Sequence, residues 1–194
     1  MNEDVREPSP WNVPNTLSAI RLLLAMVVCA LVEMHQFMAA MICFIIAAST
    51  DWMDGYWARK YNQVTKLGRI LDPFVDKIIV CGTMIALVGV PQAQFPAWIA
   101  TLVVGREMLV TSIRGMVEGK GGDFSAKALG KWKMLAQCIA IVAVLLYLSW
   151  TSPPAWFSIV ISISVWAAVL LTIISGVQYV VMAIRGSQRS DHTK

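Results

Sequence analysis

A chain of 194 residues that is 57 % hydrophobic and only 14 % charged has too much apolar surface for one soluble domain and too little length for several. Its formal net charge of +4 is spread over separate stretches, without a basic patch interleaved with aromatics, which argues against nucleic acid as a partner. Cys29, Cys43, Cys81 and Cys138 stand singly inside apolar runs, without metal-ligand spacing, and read as small buried hydrophobes.

The expected fold is all-α: a polytopic membrane protein with six transmembrane helices. Residues 1–15 form a tail or surface segment, 16–185 a single membrane domain, and 186–194 a polar tail. The opening MNEDVREPSP places acidic residues before any apolar run and has no basic region leading to a cleavage site, so it does not read as a signal peptide. Helix one is expected over 16–34, with Pro14 and Asn15 as its entry and Arg21 near the interface; Glu33, His35 and Gln36 mark a turn. Helix two follows over 37–57 or slightly beyond, then a polar loop over 60–67. Helix three is expected over 72–90, with Pro73 in its first turn, where a missing N–H costs nothing. A short uncharged turn over 91–94 leads to helix four over 96–118, which the glycine-rich 119–122 ends. Helix five over 128–150, a turn over 151–154 and helix six over 155–184 complete the chain.

Charge sets the orientation. Arg59, Lys60, Lys66, Arg69, Lys120, Lys127, Lys131, Lys133, Arg185, Arg189 and Lys194 all fall on one side of this arrangement, and the three opposite turns contain no Lys or Arg. Both termini are therefore expected in the cytoplasm. Trp11, Trp52, Trp57, Trp98, Trp132, Trp150 and Trp156 lie near span ends, as an aromatic belt requires, and Trp166 does not.

Against this apolar background the stretch from Asp51 to Asp76 is exceptional, because ionisable groups within membrane spans are costly and usually functional. Asp51 and Asp54 are spaced i, i+3 for one face of a helix, with Gly55 and Ala58 leaving bare backbone beside them. Asp72 and Asp76 are spaced i, i+4, and a helix–loop–helix would let the two pairs converge. Four carboxylates in one low-dielectric site need cations to cancel their repulsion, and hard oxygen donors suit Mg²⁺, Mn²⁺ or Ca²⁺. The opposing reading, buried acids paired with Arg59, Arg69 or Lys77, leaves the metal-ligand spacing unexplained. A second polar cluster lies later in the chain. Arg106 and Arg114 stand about two turns apart within an apolar span and call for an anion, and Glu107 is placed to orient a neighbouring cation. Lys120 and Lys127 read as ordinary loop charge, and His35 and His192 as surface residues.

The pattern Asp51-x2-Asp54-Gly55-x2-Ala58-Arg59-x8-Gly68-x3-Asp72-x3-Asp76 resembles, position for position, the signature of the CDP-alcohol phosphatidyltransferase family. The resemblance implies that all four aspartates bind a pair of divalent ions, Mg²⁺ or Mn²⁺, and that Asp76 also takes the proton from the attacking hydroxyl. It further implies that Gly55 and Ala58 face the cytidine and diphosphate of CDP-diacylglycerol, with Arg59 assisting. Gly68 reads equally as a chain break, and Asn15 equally as a helix cap or a contact to the donor head group.

The stretches PNTLSAIR, GREMLVTSIRGMVEGKG and LGKWKMLAQ resemble those of bacterial phosphatidylglycerophosphate synthases, although Ser18 and Met134 stand where threonine is common and Ala25 where proline often stands. That likeness implies glycerol 3-phosphate as acceptor, its phosphate held by Arg106, Arg114, Lys131 and Lys133. It also implies a homodimer and a bacterial inner membrane with the site facing the cytoplasm. The alternatives are a cardiolipin synthase or another member of the family with a different acceptor and, from other classes, a divalent-cation transporter or a prenyltransferase.

Overall fold

The computed structural model describes the chain over 13–61, 66–118 and 128–191, and the side chains at 16, 18–50, 74, 75, 77–115 and 130–184. Every regular element among these residues is helical. The α-helices are α1 (Val13–Glu33), α2 (Phe37–Tyr61), α3 (Lys66–Val88), α4 (Ala97–Glu118), α5 (Ala128–Ser149) and α6 (Ala155–Asp191), with a 3₁₀ turn at Pro91–Ala93 before α4. The chain divides into two compact units, Met1–Val90 and Pro91–Lys194.

In the first unit α1 packs along both α2 and α3, which adjoin each other over a shorter stretch. The reason is written in α1: Ser18, Arg21, Ala25, Val28 and Val32 recur every three or four residues and are all buried, a stripe wide enough to serve two neighbours. Ala40, Phe44 and Ala47 of α2 and Val75, Ile79, Met84 and Leu87 of α3 fill the core. Gly82 of α3 faces Cys29 of α1, whose Sγ would lie in contact, 3.4 Å, with a Cβ there. Arg21, expected near the interface, is 2 % exposed and faces the inside of the helix trio.

Between α1 and α2 the chain reverses through a helix-ending pair of hydrogen bonds. The Gln36 amide donates to Leu31 O at 2.8 Å and the His35 amide to Val32 O at 3.0 Å, with His35 at φ 57°. Glycine is the usual residue at such a position, because a Cβ is strained at positive φ. His35→Gly is therefore expected to raise stability by about 0.5–1 kcal/mol, the relief of strain less the greater freedom of an unfolded glycine. Thermal unfolding in detergent checks this.

Two boundaries differ from expectation. Helix α1 starts at Val13, so Pro14 lies in its first turn, where the proline replaces an N–H that has no intrahelical acceptor. Helix α3 starts at Lys66 rather than near 72, which places Pro73 inside the helix and leaves the Arg69 carbonyl without its usual donor.

In the second unit α6 is the central element, with α5 along one side and α4 along another. Phe157, Ile161, Val165, Ala168, Thr172, Ser175 and Tyr179 form its buried stripe, at the three-and-four spacing of a packed helix. Its other faces carry exposed Ile159, Ile163, Trp166, Leu170 and Val177, a surface that suits hydrocarbon better than water. Trp166, the exception to the aromatic belt, lies against Trp98 of α4 with ring centroids 5.9 Å apart. Gln94, at φ 52°, donates from Nε2 to Ser158 Oγ at 3.3 Å and ties the 3₁₀ turn region to the start of α6.

Among the described residues, two helical stretches are long and apolar enough to cross a bilayer by themselves, Gly130–Ser149 and Ala155–Ile184. Among the described residues, α2 and α3 contribute the shorter apolar stretches Phe37–Thr50 and Lys77–Val88.

Candidate active site

The acidic stretch falls at the end of α2 and the start of α3, as a helix–loop–helix requires. Asp51 and Asp54 occupy helical positions i, i+3 in α2, and Asp72 and Asp76 occupy i, i+4 in α3. The side chains of these four, and those of Asn15, Gly55, Ala58, Arg59 and Gly68, lie outside the described residues. The last described residues of α2 before the acids bond their hydroxyls locally. Ser49 Oγ donates to Ile45 O at 2.7 Å and Thr50 Oγ1 to Ala47 O at 2.7 Å, so both donors bond within α2. Carboxylates are hard oxygen donors of the kind that suits Mg²⁺ or Mn²⁺.

The cationic cluster brings together the side chains of Arg106, Glu107 and Lys133. Glu107 is 7 % exposed and Lys133 5 %, and Lys133 Nζ donates to Glu107 Oε1. Arg106 Nη1 donates to the same oxygen at 3.2 Å, and its Nη2 donates to Ser175 Oγ of α6 at 2.9 Å. The guanidinium carbon sits 5.4 Å from the centre of the Tyr179 ring, within cation–π range. Glu107 thus orients both neighbouring cations, the role its sequence position suggested for one. Two cationic groups thus converge on one carboxylate oxygen.

Helix packing fixes this geometry. A buried hydrogen bond from Gln137 Nε2 to Thr172 Oγ1, 2.9 Å long, pins α5 to α6. Gly130 of α5 faces the Tyr179 hydroxyl, which would lie in ordinary contact, 3.5 Å, with a Cβ there. Gly176 makes closer room for Arg106, whose Cγ would stand 3.2 Å from a Cβ at 176. An outward-opening groove of about 320 Å³ runs between α4 and α6, with Arg106 on its floor and Leu102, Leu109, Ile173 and Val177 among its walls. Of the other expected phosphate ligands, Arg114 is partly buried further along α4, and Lys131 is exposed on the first turn of α5.

The part of the site that sequence reading missed is on α6, which offered only generic hydrophobicity. Thr172, Ser175, Gly176 and Tyr179 hold polar or small side chains at helical spacing within an otherwise apolar run. That stripe was the available signal.

Comparison with known proteins identifies the family. The family model for CDP-alcohol phosphatidyltransferase matches residues 11–181. A CDP-diacylglycerol–glycerol-3-phosphate 3-phosphatidyltransferase of Bacillus subtilis (strain 168) is 42 % identical over 143 residues, 73 % of this chain and 72 % of that one. Proteins of the same name from Blochmanniella floridana and Haemophilus influenzae are 33 % and 34 % identical, covering 88 % and 89 % of this chain and 90 % and 94 % of their own. The match takes in the acidic helix–loop–helix and the cationic cluster alike, and this chain belongs to the CDP-alcohol phosphatidyltransferase family.

Proposed function

We propose that this enzyme transfers the phosphatidyl group of CDP-diacylglycerol to glycerol 3-phosphate, giving phosphatidylglycerophosphate and CMP. The observation that carries the reading is the family match across 11–181, joined to relatives at 33–42 % identity that bear this activity in their names. Six membrane spans, cytoplasmic termini and an inner-membrane location with the site facing the cytoplasm complete it. Their support is the one-sided distribution of Lys and Arg and the apolar outer surfaces of the helices.

Asp51, Asp54, Asp72 and Asp76 would hold two divalent cations, Mg²⁺ or Mn²⁺, which would supply positive charge for the donor's diphosphate and the departing nucleotide. Gly55 and Ala58 leave room for the donor beside α2, Arg59 contributes charge to the diphosphate, and Asn15 and Gly68 border the same ligand. Arg106, Arg114, Lys131 and Lys133 hold the acceptor's phosphate and so place its primary hydroxyl. Asp76 accepts the proton of that hydroxyl. The oxygen bonds to the phosphorus of the phosphatidyl group, the bond from that phosphorus to the oxygen bridging it to CMP breaks, and CMP leaves with the electron pair. In this reading two copies of the chain assemble as a homodimer.

The test is CMP release by detergent-purified protein given CDP-diacylglycerol and Mg²⁺, with glycerol 3-phosphate, phosphatidylglycerol, serine and inositol phosphate compared as acceptors. Release is expected with glycerol 3-phosphate alone. Release driven by phosphatidylglycerol instead would make the enzyme a cardiolipin synthase. Folded, lipid-supplied protein that releases no CMP with any of these acceptors yet moves Mg²⁺ across liposomes would replace the reading by a transporter.

A further inference from the structure

The family signature and the cationic stretches end before α6, yet three of that helix's residues converge on one arginine. Ser175 Oγ accepts from Arg106 Nη2 at 2.9 Å, and the Tyr179 ring lies 5.4 Å beneath the guanidinium carbon. Gly176 lies against the stem of Arg106, where a Cβ would come within 3.2 Å of Cγ and 3.9 Å of Nε. Glu107 Oε1 takes Nη1 from the remaining side. Arg106 Nε is buried and has no hydrogen-bond partner among the described residues, so one donor of the fork is left unsatisfied beside the glycine. An arginine side chain free in an apolar span loses about 2 kcal/mol of rotamer freedom when a ligand fixes it. One already held on three sides has lost most of that freedom before the ligand arrives.

We propose that α6 is a clamp for Arg106, with Ser175, Gly176 and Tyr179 as positioning residues that set the affinity for the phosphorylated acceptor. The inference rests on the reading above, in which Arg106 holds the acceptor's phosphate. Each contact does a different task. Ser175 fixes the rotation of the guanidinium plane, Tyr179 supports its face, and Gly176 makes room for its stem against α6. The clamp touches neither reacting atom, so its loss weakens acceptor binding and leaves the chemical step in place.

Steady-state kinetics with both substrates varied tests this, on variants whose thermal unfolding matches the parent. Ser175→Ala and Tyr179→Leu are each expected to raise the glycerol 3-phosphate KM about 10-fold. Their kcat and CDP-diacylglycerol KM should stay within about 2-fold of the parent. Tyr179→Phe, which keeps the ring, should restore the acceptor KM, and Gly176→Ala should raise it about 3-fold by crowding Cγ. Ser164→Ala, three turns away on the same helix with its hydroxyl bonded to Ile161 O, should change nothing. Arg106→Lys separates the two ideas. If it raises the acceptor KM while the α6 variants do not, the clamp is wrong and the acceptor site stands. If neither Arg106→Lys nor the α6 variants move the acceptor KM, both the clamp and the assignment of Arg106 fail. Equal effects on both substrates, or rescue by Tyr179→Phe of stability alone, would reduce α6 to a packing role and overturn the proposal.

Discussion

Asp76→Asn is expected to lower kcat by roughly 10³-fold, the size of effect that a positioned general base commonly supplies. The amide keeps the shape of the side chain but neither accepts a proton from the acceptor's hydroxyl nor offers a charged oxygen to a cation. Asp51→Asn removes one charged donor and leaves the base, so its loss should be partly recovered by raising Mg²⁺. The difference between the two is the informative quantity. Initial rates of CMP release across a Mg²⁺ series, at saturating glycerol 3-phosphate, measure it. If high Mg²⁺ rescued Asp76→Asn as fully as Asp51→Asn, Asp76 would be a metal ligand only, and the proton would leave by another route.

The helices that carry the acidic stretch were legible because their signals are local. The i, i+3 and i, i+4 spacings and the intervening loop depend on helix geometry alone, and α2 and α3 have the backbone those spacings demand. Pro73 misled because a proline more often opens a helix than lies within one, whereas here Lys66–Leu71 supplies helical turns ahead of it. Arg21 was placed by its distance from the helix start, which indicates depth in a membrane but not which face looks inward. The stripe of Ser18, Ala25, Val28 and Val32 decides that face, and it carries Arg21 with it. The contribution of α6 was illegible for a related reason. Ser175 and Tyr179 acquire a role only when helix packing brings α4, some seventy residues earlier in the chain, against them. Glu107 stood between the two cases: its neighbour Arg106 was evident from sequence, but its partner Lys133 lies 26 residues away.

Glu107 also gives the largest expected effect on stability. With Glu107 7 % exposed and Lys133 5 %, Glu107→Ala leaves an ammonium group in the interior without its carboxylate, at a cost of about 3–5 kcal/mol. Lys133→Met alone is expected to cost less, because Glu107 keeps the bond from Arg106. The double variant Glu107→Leu with Lys133→Met removes both charges and fills the space with apolar atoms. It should therefore recover most of the stability lost in Glu107→Ala. Thermal unfolding of the variants in detergent, at matched lipid content, supplies the comparison. Stability and function should then part company: the double variant folds but loses glycerol 3-phosphate affinity, since Arg106 has lost one of its anchors and a neighbouring cation has gone. A double variant as unstable as Glu107→Ala would show that the cost lies in packing rather than in the uncompensated charge. A double variant with the parent's acceptor KM would remove Glu107 and Lys133 from the acceptor site.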